Sequence, residues 1–338
     1  MEQIIRGMYA HPANRILRMA RLLPLITMDT IVNARQANHP VSLVLTLYRM
    51  LGLMRPRHWV KNGFVLVGAL FANVWLQPEI AKKVVLATAA FSLISSAAYI
   101  INDLYDRKYD VNHPRKKTRP LASGQVSVGA AIVVQITLSL AGLALGYSVS
   151  AKVLIILALY LLLNLAYSMR LKHVVILDVF IIAAGFMLRI LAGTVGIGIA
   201  PSQWLLICGL MIALFLGFTK RRAELYALNE NGSTHRKVLS VYQPVLLDNM
   251  IVVTATCVVL TYSLYTMSPE TIQYHHTKSL IYTVPFVMYG IFRYLYSLHR
   301  QSAGGDPAVE IFRDPHILFA IVGWLLVTVW LIAGHANS

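Results

Sequence analysis

"AKKVVLATAAFSLISSAAYIINDLYDRKYDVNHPRKKTRP" occupies residues 81–120. Its first half is an apolar run of about twenty residues, the length of a helix that crosses a hydrocarbon core about 30 Å thick. Its second half carries Asp103, Asp106 and Asp110 together with Arg107, Lys108, Arg115, Lys116, Lys117 and Arg119. The aspartates are spaced by three and four residues. A helix that continues past the apolar run therefore lines all three carboxylates along one face, with Asn102 beside Asp103 on the same turn. Pro114 disfavours helix in the residue before it and predicts a stop near His113.

Similar apolar runs recur along the chain of 338 residues, of which 57% are hydrophobic and 13% charged. A soluble domain carries about 25% charged residues. Strands of a membrane barrel would alternate polar and apolar positions, and these runs do not. The fold class read from this pattern is all-α: a polytopic membrane protein with nine transmembrane helices, near 60–76, 82–104, 127–148, 152–169, 174–197, 203–219, 248–267, 280–297 and 316–334. Across that topology, 25 Lys and Arg fall on the side of the N-terminus and four on the other, with Arg189 inside the fifth span. The positive-inside rule then puts the N-terminus in the cytoplasm and the C-terminus outside, in the plasma membrane. The net charge of +16 is accounted for by topology, and no nucleic-acid partner is expected.

Residues 1–50 read as a basic N-terminal extension, either an interfacial helix near 16–25 resting on anionic lipid or a disordered segment. It lacks an uninterrupted apolar core and a small-residue cleavage site, so no signal peptide is expected. Residues 51–338 form the transmembrane domain. Its longest loop, about 220–247, contains "NENGS", read as a turn. Cys208 and Cys257 sit singly in apolar runs and read as packing residues. His275-His276 reads as a solvated loop on the outer side.

Three like charges within two helical turns repel one another, and carboxylates near a bilayer are costly without partners. Ion pairing with Arg107, Arg115, Lys116 or Lys117 is the plain explanation, but it does not account for a single-faced stripe. Oxygen ligands in a stripe suit Mg²⁺, which takes one or two carboxylates plus phosphate oxygens and water. The absence of paired His or Cys argues against zinc. Basic residues of "HPRKKTRP" would complete a diphosphate site.

Further clusters lie on the same side. They are "RPRHWVKN" with Arg55, Arg57 and Lys61, "YSMRLKHVVILD" with Tyr167, Lys172 and Asp178, and "GFTKRRAEL" with Lys220, Arg221 and Arg222. For each, a positive-inside cluster is the competing explanation. Asp178 and Arg189 are eleven residues apart, three helical turns, and share a face of one apolar helix. Ionisable residues inside a membrane are functional candidates, and whether these two pair with each other stays open.

"NDLYDRKYD" resembles the N-D-x-x-D-x-x-x-D motif of the UbiA superfamily of intramembrane prenyltransferases, and "RPLASG" resembles the segment that follows it there. The second superfamily motif carries a D-x-x-x-D pair, whereas "LDVFI" here has Asp178 and then Ile182. In "RPRHWVKN", "YSMRLKHVVILDVFIIAAGFMLRILAG" and "GFTKRRAEL" the chain is similar to the decaprenyl-phosphate phosphoribosyltransferase branch. That resemblance implies Mg²⁺-dependent transfer of 5-phosphoribose from phosphoribosyl diphosphate (PRPP) to a polyprenyl phosphate such as decaprenyl phosphate. The alternative is transfer of a polyprenyl group from its diphosphate to an aromatic or quinone-precursor acceptor.

By the resemblance, Asn102, Asp103, Asp106 and Asp110 hold Mg²⁺ against the diphosphate. Lys117, Arg119, Lys172, Lys220, Arg221 and Arg222 contact phosphates, and Asp178 is a second metal or ribose ligand. Tyr167, Arg189, Arg57 and Lys61 complete the candidate substrate-binding set. The partners implied are PRPP, the polyprenyl phosphate and membrane lipids, with a homo-oligomer left open.

Overall fold

Every regular element among the described residues is helical. The computed structural model describes residues 48–71, 77–112, 116–229, 242–300 and 314–335. The expected interfacial helix near 16–25, the "NENGS" turn beyond Asn229, and the end of the first expected span lie outside them.

After a helical stretch at 48–54, a 3₁₀ segment Pro56–Gly63 leads into α1 (Phe64–Phe71). Then follow α2 (Pro78–Asp110), α3 (Val128–Val149), α4 (Ala151–Met169), α5 (Leu177–Ala192) and α6 (Gln203–Asn229). The order closes with α7 (Pro244–Met267), α8 (Pro269–His275), α9 (Val284–Arg300) and α10 (Pro315–His335). Seven helices are long and apolar enough to cross a membrane: α2 to α7 and α10. At the places of the first and eighth expected spans stand α1, with eight described residues, and α9, with 17. The molecule is a multi-pass membrane protein by this measure, and large apolar side chains such as Val133, Leu140, Leu162, Phe319, Leu326 and Trp330 face outward, as lipid-facing positions do.

The helix starts follow local chemistry. Ser127 and Ser150 cap α3 and α4, accepting from the N–H groups of Ala130 and Val153. Proline opens α2, α7 and α8, where its missing N–H costs nothing. One buried cluster joins α5, α6, α7, α9 and α10 around Phe186, Phe215, Leu247 and Ile251. Another joins α1, α2, α4 and α5 around Phe91, Ile94 and Leu157. Gly193 lets the end of α5 touch α1, since a Cβ there would lie 1.8 Å from the Val65 carbonyl oxygen.

α2 positions the site. With 33 residues it is about 50 Å long, more than the hydrocarbon core requires, and its last turns carry the aspartates. It ends at Asp110, with Val111 continuing in helical conformation, close to the stop that Pro114 predicts.

The expected solvated pair at 275–276 divides. His276 is exposed, whereas His275 is 5% exposed, its Nε2 3.2 Å from the Tyr265 hydroxyl and its ring edge-on to Tyr274. No motif marks that the end of α8 packs His275 against Tyr265 of α7. Burial, and then the neighbouring His276, lower the His275 pKa from 6.5 to about 4. An imidazole that stays neutral when folded but takes a proton when unfolded contributes stability above about pH 6.5. That contribution is lost as pH falls toward 4. The melting temperature in detergent should therefore drop between pH 7 and 4.5, and His275→Gln should flatten that drop.

Candidate functional site

The last three turns of α2 present Asp103, Asp106 and Asp110 on the buried side, while Arg107, Lys108 and Tyr109 are exposed. The single acidic face expected from the spacing is present. Each carboxylate is met by a cation from a different non-α segment. Arg55 Nη2 lies 2.5 and 2.7 Å from the two oxygens of Asp103. Arg119 Nη1 bridges Asp103, at 3.0 Å, and Asp110, at 2.6 Å. Lys172 Nζ reaches Asp106 at 2.5 Å, and Asn102 Nδ2 donates to the other Asp106 oxygen at 3.1 Å.

Local structure aims each cation. The 55–63 segment is laced along α2, Trp59 Nε1 donating to Ser96 Oγ and Asn62 Nδ2 to Ser92 Oγ. Arg55 adopts a left-handed backbone conformation, φ 51°, directly before Pro56, where helical geometry is disfavoured. Strain of this kind persists where the surroundings enforce it, and here it turns the guanidinium onto Asp103 with its flat face 5.3 Å from the Tyr99 ring centre. Arg119 begins a tight loop: its carbonyl accepts from Ser123 N–H and hydroxyl, Gly124 takes φ +73°, and Leu121 is buried. Lys172 sits buried on the 3₁₀ turn Leu171–His173 between α4 and α5.

A second network surrounds Asp178. Arg221 Nε lies 2.8 Å from Asp178 Oδ2, both side chains being fully buried, in an ion pair not aligned as a hydrogen bond. Arg221 also donates to Glu224 and, at 2.9 Å, to Tyr167 Oη. Tyr242 donates to Asp178 at 2.8 Å and accepts the Ile176 N–H at 2.6 Å. Burial raises the Tyr242 pKa; the Ile176 N–H opposes that shift and the bond to Asp178 adds to it, so the phenol remains a donor. Ile176 has φ 68° and ψ −48°, with Leu177 N–H bonded to Val175 O, a γ-turn rare for a β-branched residue.

The remaining candidates are distributed elsewhere. Arg189 does not pair with Asp178. Its guanidinium donates to Asn62 Oδ1, Gly185 O and Tyr160 Oη at 2.8–3.0 Å and lies within 5.4 Å of the ring centres of Phe91, Tyr160 and Phe186. Arg222 pairs with Asp248 and donates to Leu298 O at 3.0 Å, tying α6 to α7 and α9. Arg57 and Lys117 are exposed, Lys61 and Lys220 half-buried. From the cluster "RPRHWVKN" the candidate set takes Arg57 and Lys61, whereas it is Arg55 that reaches the acid face. Tyr242 is not in the candidate set and belongs to no recognisable motif.

Among the described residues, no three acidic, His or Cys side chains converge into a ready-made metal cage. The donor set nevertheless suits a hard cation that brings phosphate oxygens with it, because Mg²⁺ needs only one or two carboxylates.

The family model described as the UbiA prenyltransferase family matches residues 62–314. The chain belongs to that family. A decaprenyl-phosphate phosphoribosyltransferase of Mycobacterium tuberculosis is 31% identical over 290 residues, covering 85% of this chain and 94% of its own. One of Mycolicibacterium smegmatis is 32% identical over 300 residues, covering 86% and 93%. Among solved structures, a UbiA homolog from Archaeoglobus fulgidus bound to DMAPP and Mg²⁺ superposes with a TM-score of 0.63 at 18% identity, covering 84% of this chain and 99% of that one. The chain is thus a UbiA-family transferase with the UbiA fold. Where the family pattern expects a second acid four residues after Asp178, Ile182 packs against the apolar cluster of α5, α6 and α7.

Proposed function

We propose that the protein transfers 5-phosphoribose from PRPP to a polyprenyl phosphate, decaprenyl phosphate being the first candidate, and releases diphosphate. The observation that carries this reading is the acid face of α2 matched residue by residue by Arg55, Arg119 and Lys172. Such a site can take a polyanion and a divalent cation together. The names of relatives that cover 85% and 86% of this chain supply the group transferred and the class of acceptor.

In this reading Asp103, Asp106 and Asp110, with Asn102, would hold Mg²⁺, which supplies charge neutralisation at the departing diphosphate. Arg55, Arg119 and Lys172 bind the diphosphate oxygens, with Lys117 and Lys220 as further phosphate donors at the rim. An acceptor phosphate oxygen attacks the anomeric carbon as the bond to diphosphate breaks, and the electron pair leaves with the diphosphate. The attacking phosphate is already an anion, so no side chain need remove a proton. The chain's main task is to orient two anions against their repulsion, which several cationic donors accomplish. Asp178 acts through Arg221, holding it rather than binding metal. With Ile182 in place of a second acid, the site favours this transfer over prenylation of an aromatic acceptor.

The topology proposed is nine spans in the plasma membrane, with the N-terminus and the active site facing the cytoplasm. Residues 1–50 form a basic extension before the transferase domain at 51–338. Purified protein incubated with Mg²⁺, labelled PRPP and decaprenyl phosphate should yield labelled lipid and diphosphate. No labelled lipid, alongside prenylation of an aromatic acid from a polyprenyl diphosphate, would overturn the proposal.

A further inference from the structure

We infer that Arg55, Arg119 and Lys172 are counter-charges that the diphosphate takes over, so that metal and diphosphate load together and a bare metal ion is held off. The inference deepens the function proposed above and rests on it.

Among the described residues, the three carboxylates on one helix face are paired with Arg55, Arg119 and Lys172, which lie outside α2. Arg119 shows the arrangement most clearly, because one of its nitrogens serves two carboxylates two helical turns apart. That nitrogen fills the space between the two carboxylates. A bare divalent ion therefore meets a neutralised site and like charges. Buried carboxylates cannot release their partners without replacement, since an uncompensated buried charge is strongly unfavourable.

At the two arginines, exposure sets the direction of approach. The side chains of Arg55 and Arg119 are 20% and 24% exposed, whereas those of Asp103 and Asp110 are 3% and 4%. A solute arriving from water reaches the guanidinium groups first. An anion can engage them there, and planar guanidinium matches phosphate oxygens well. Each cation drawn toward phosphate frees carboxylate oxygens, and a divalent ion carried by the same diphosphate can then take them. Anion and metal thereby favour each other's binding, a coupling that is reciprocal by linkage.

The coupling gives Arg119 an uncommon signature: its removal should move metal and anion affinities in opposite directions. On full-length protein in detergent, Mn²⁺ binding is followed by electron paramagnetic resonance without any anion substrate. Inorganic pyrophosphate binding is followed by calorimetry in chelator. Arg119→Gln should tighten Mn²⁺ about tenfold and weaken pyrophosphate about tenfold, within the roughly 5- to 150-fold range usual for coupled sites. Lys172→Gln should shift both the same way and serves as the second variant if Arg119→Gln melts below the assay temperature.

Lys108→Gln removes a charge from the exposed face of α2 and should leave both affinities within twofold, which separates exchange from a diffuse change in field. If Arg119→Gln and Lys172→Gln leave Mn²⁺ affinity within twofold of wild type, while Asp106→Asn abolishes Mn²⁺ binding, the counter-charge idea is overturned and the metal site stands. Mn²⁺ bound equally by wild type and Asp106→Asn would remove the metal site, and the inference with it.

Discussion

Asp106→Asn is expected to lower turnover at least a hundredfold while leaving the protein folded and inserted in the membrane. Asp106 is the middle acid of the stripe, and its two oxygens are engaged by Lys172 and Asn102. The amide keeps the size of the side chain but loses the charge that both a metal and Lys172 require. Losing one preorganised electrostatic contact to a developing charge costs about 10²–10³ in turnover, and here the loss also leaves Lys172 buried beside a neutral group. A buried ammonium without its counter-charge is unfavourable, so the placement of a phosphate donor is disturbed as well. Steady-state turnover with labelled PRPP gives the first quantity, and size-exclusion and thermal profiles in detergent check folding. Activity within tenfold of wild type would exclude Asp106 as a ligand.

The acids were legible in the sequence because a helix has a fixed period: intervals of three and four residues can only place 103, 106 and 110 together. The cations were not, because loops and 3₁₀ turns have no period that fixes where a side chain points. Arg55 faces Asp103 whereas Arg57, two residues on, is exposed, and Lys172 is buried whereas Arg170 is exposed. A left-handed residue before a proline, as at Arg55, is the kind of geometry that composition gives no hint of. The shared face of Asp178 and Arg189 was read correctly, but sharing a face is not sharing a depth. Eleven residues at 1.5 Å each separate the two by about 16 Å along α5, and each has its own partners, Arg221 and Tyr242 for Asp178 and Asn62, Gly185 and Tyr160 for Arg189. Nothing near Tyr242 marked it, since its role arises from the γ-turn at Ile176, which brings a backbone N–H and a carboxylate to one hydroxyl. The apolar runs announced the membrane helices α2 to α7 and α10.

Asp178→Ala should destabilise the protein by about 3–5 kcal/mol, the cost of breaking a fully buried ion pair. Arg221 would retain Glu224 and Tyr167, but Tyr242 would lose its acceptor and the junction of α4, α5 and α6 would loosen. The double variant Asp178→Leu/Arg221→Met should recover most of that stability, because it removes both charges and fills their volume. Glu224, its side chain 31% exposed, can then be solvated. The double variant should nevertheless remain inactive if Arg221 and its acid orient the second half of the site. Asp178→Asn, which keeps a hydrogen-bond acceptor for Tyr242, distinguishes positioning from metal binding. It should reduce turnover about tenfold without changing the Mg²⁺ concentration that gives half-maximal rate, since Asp178 is engaged by Arg221 and Tyr242. A tenfold rise in the Mg²⁺ requirement would instead make Asp178 a ligand. The site would then use acids from two helices, and the isoleucine at 182 would no longer mark a difference in chemistry.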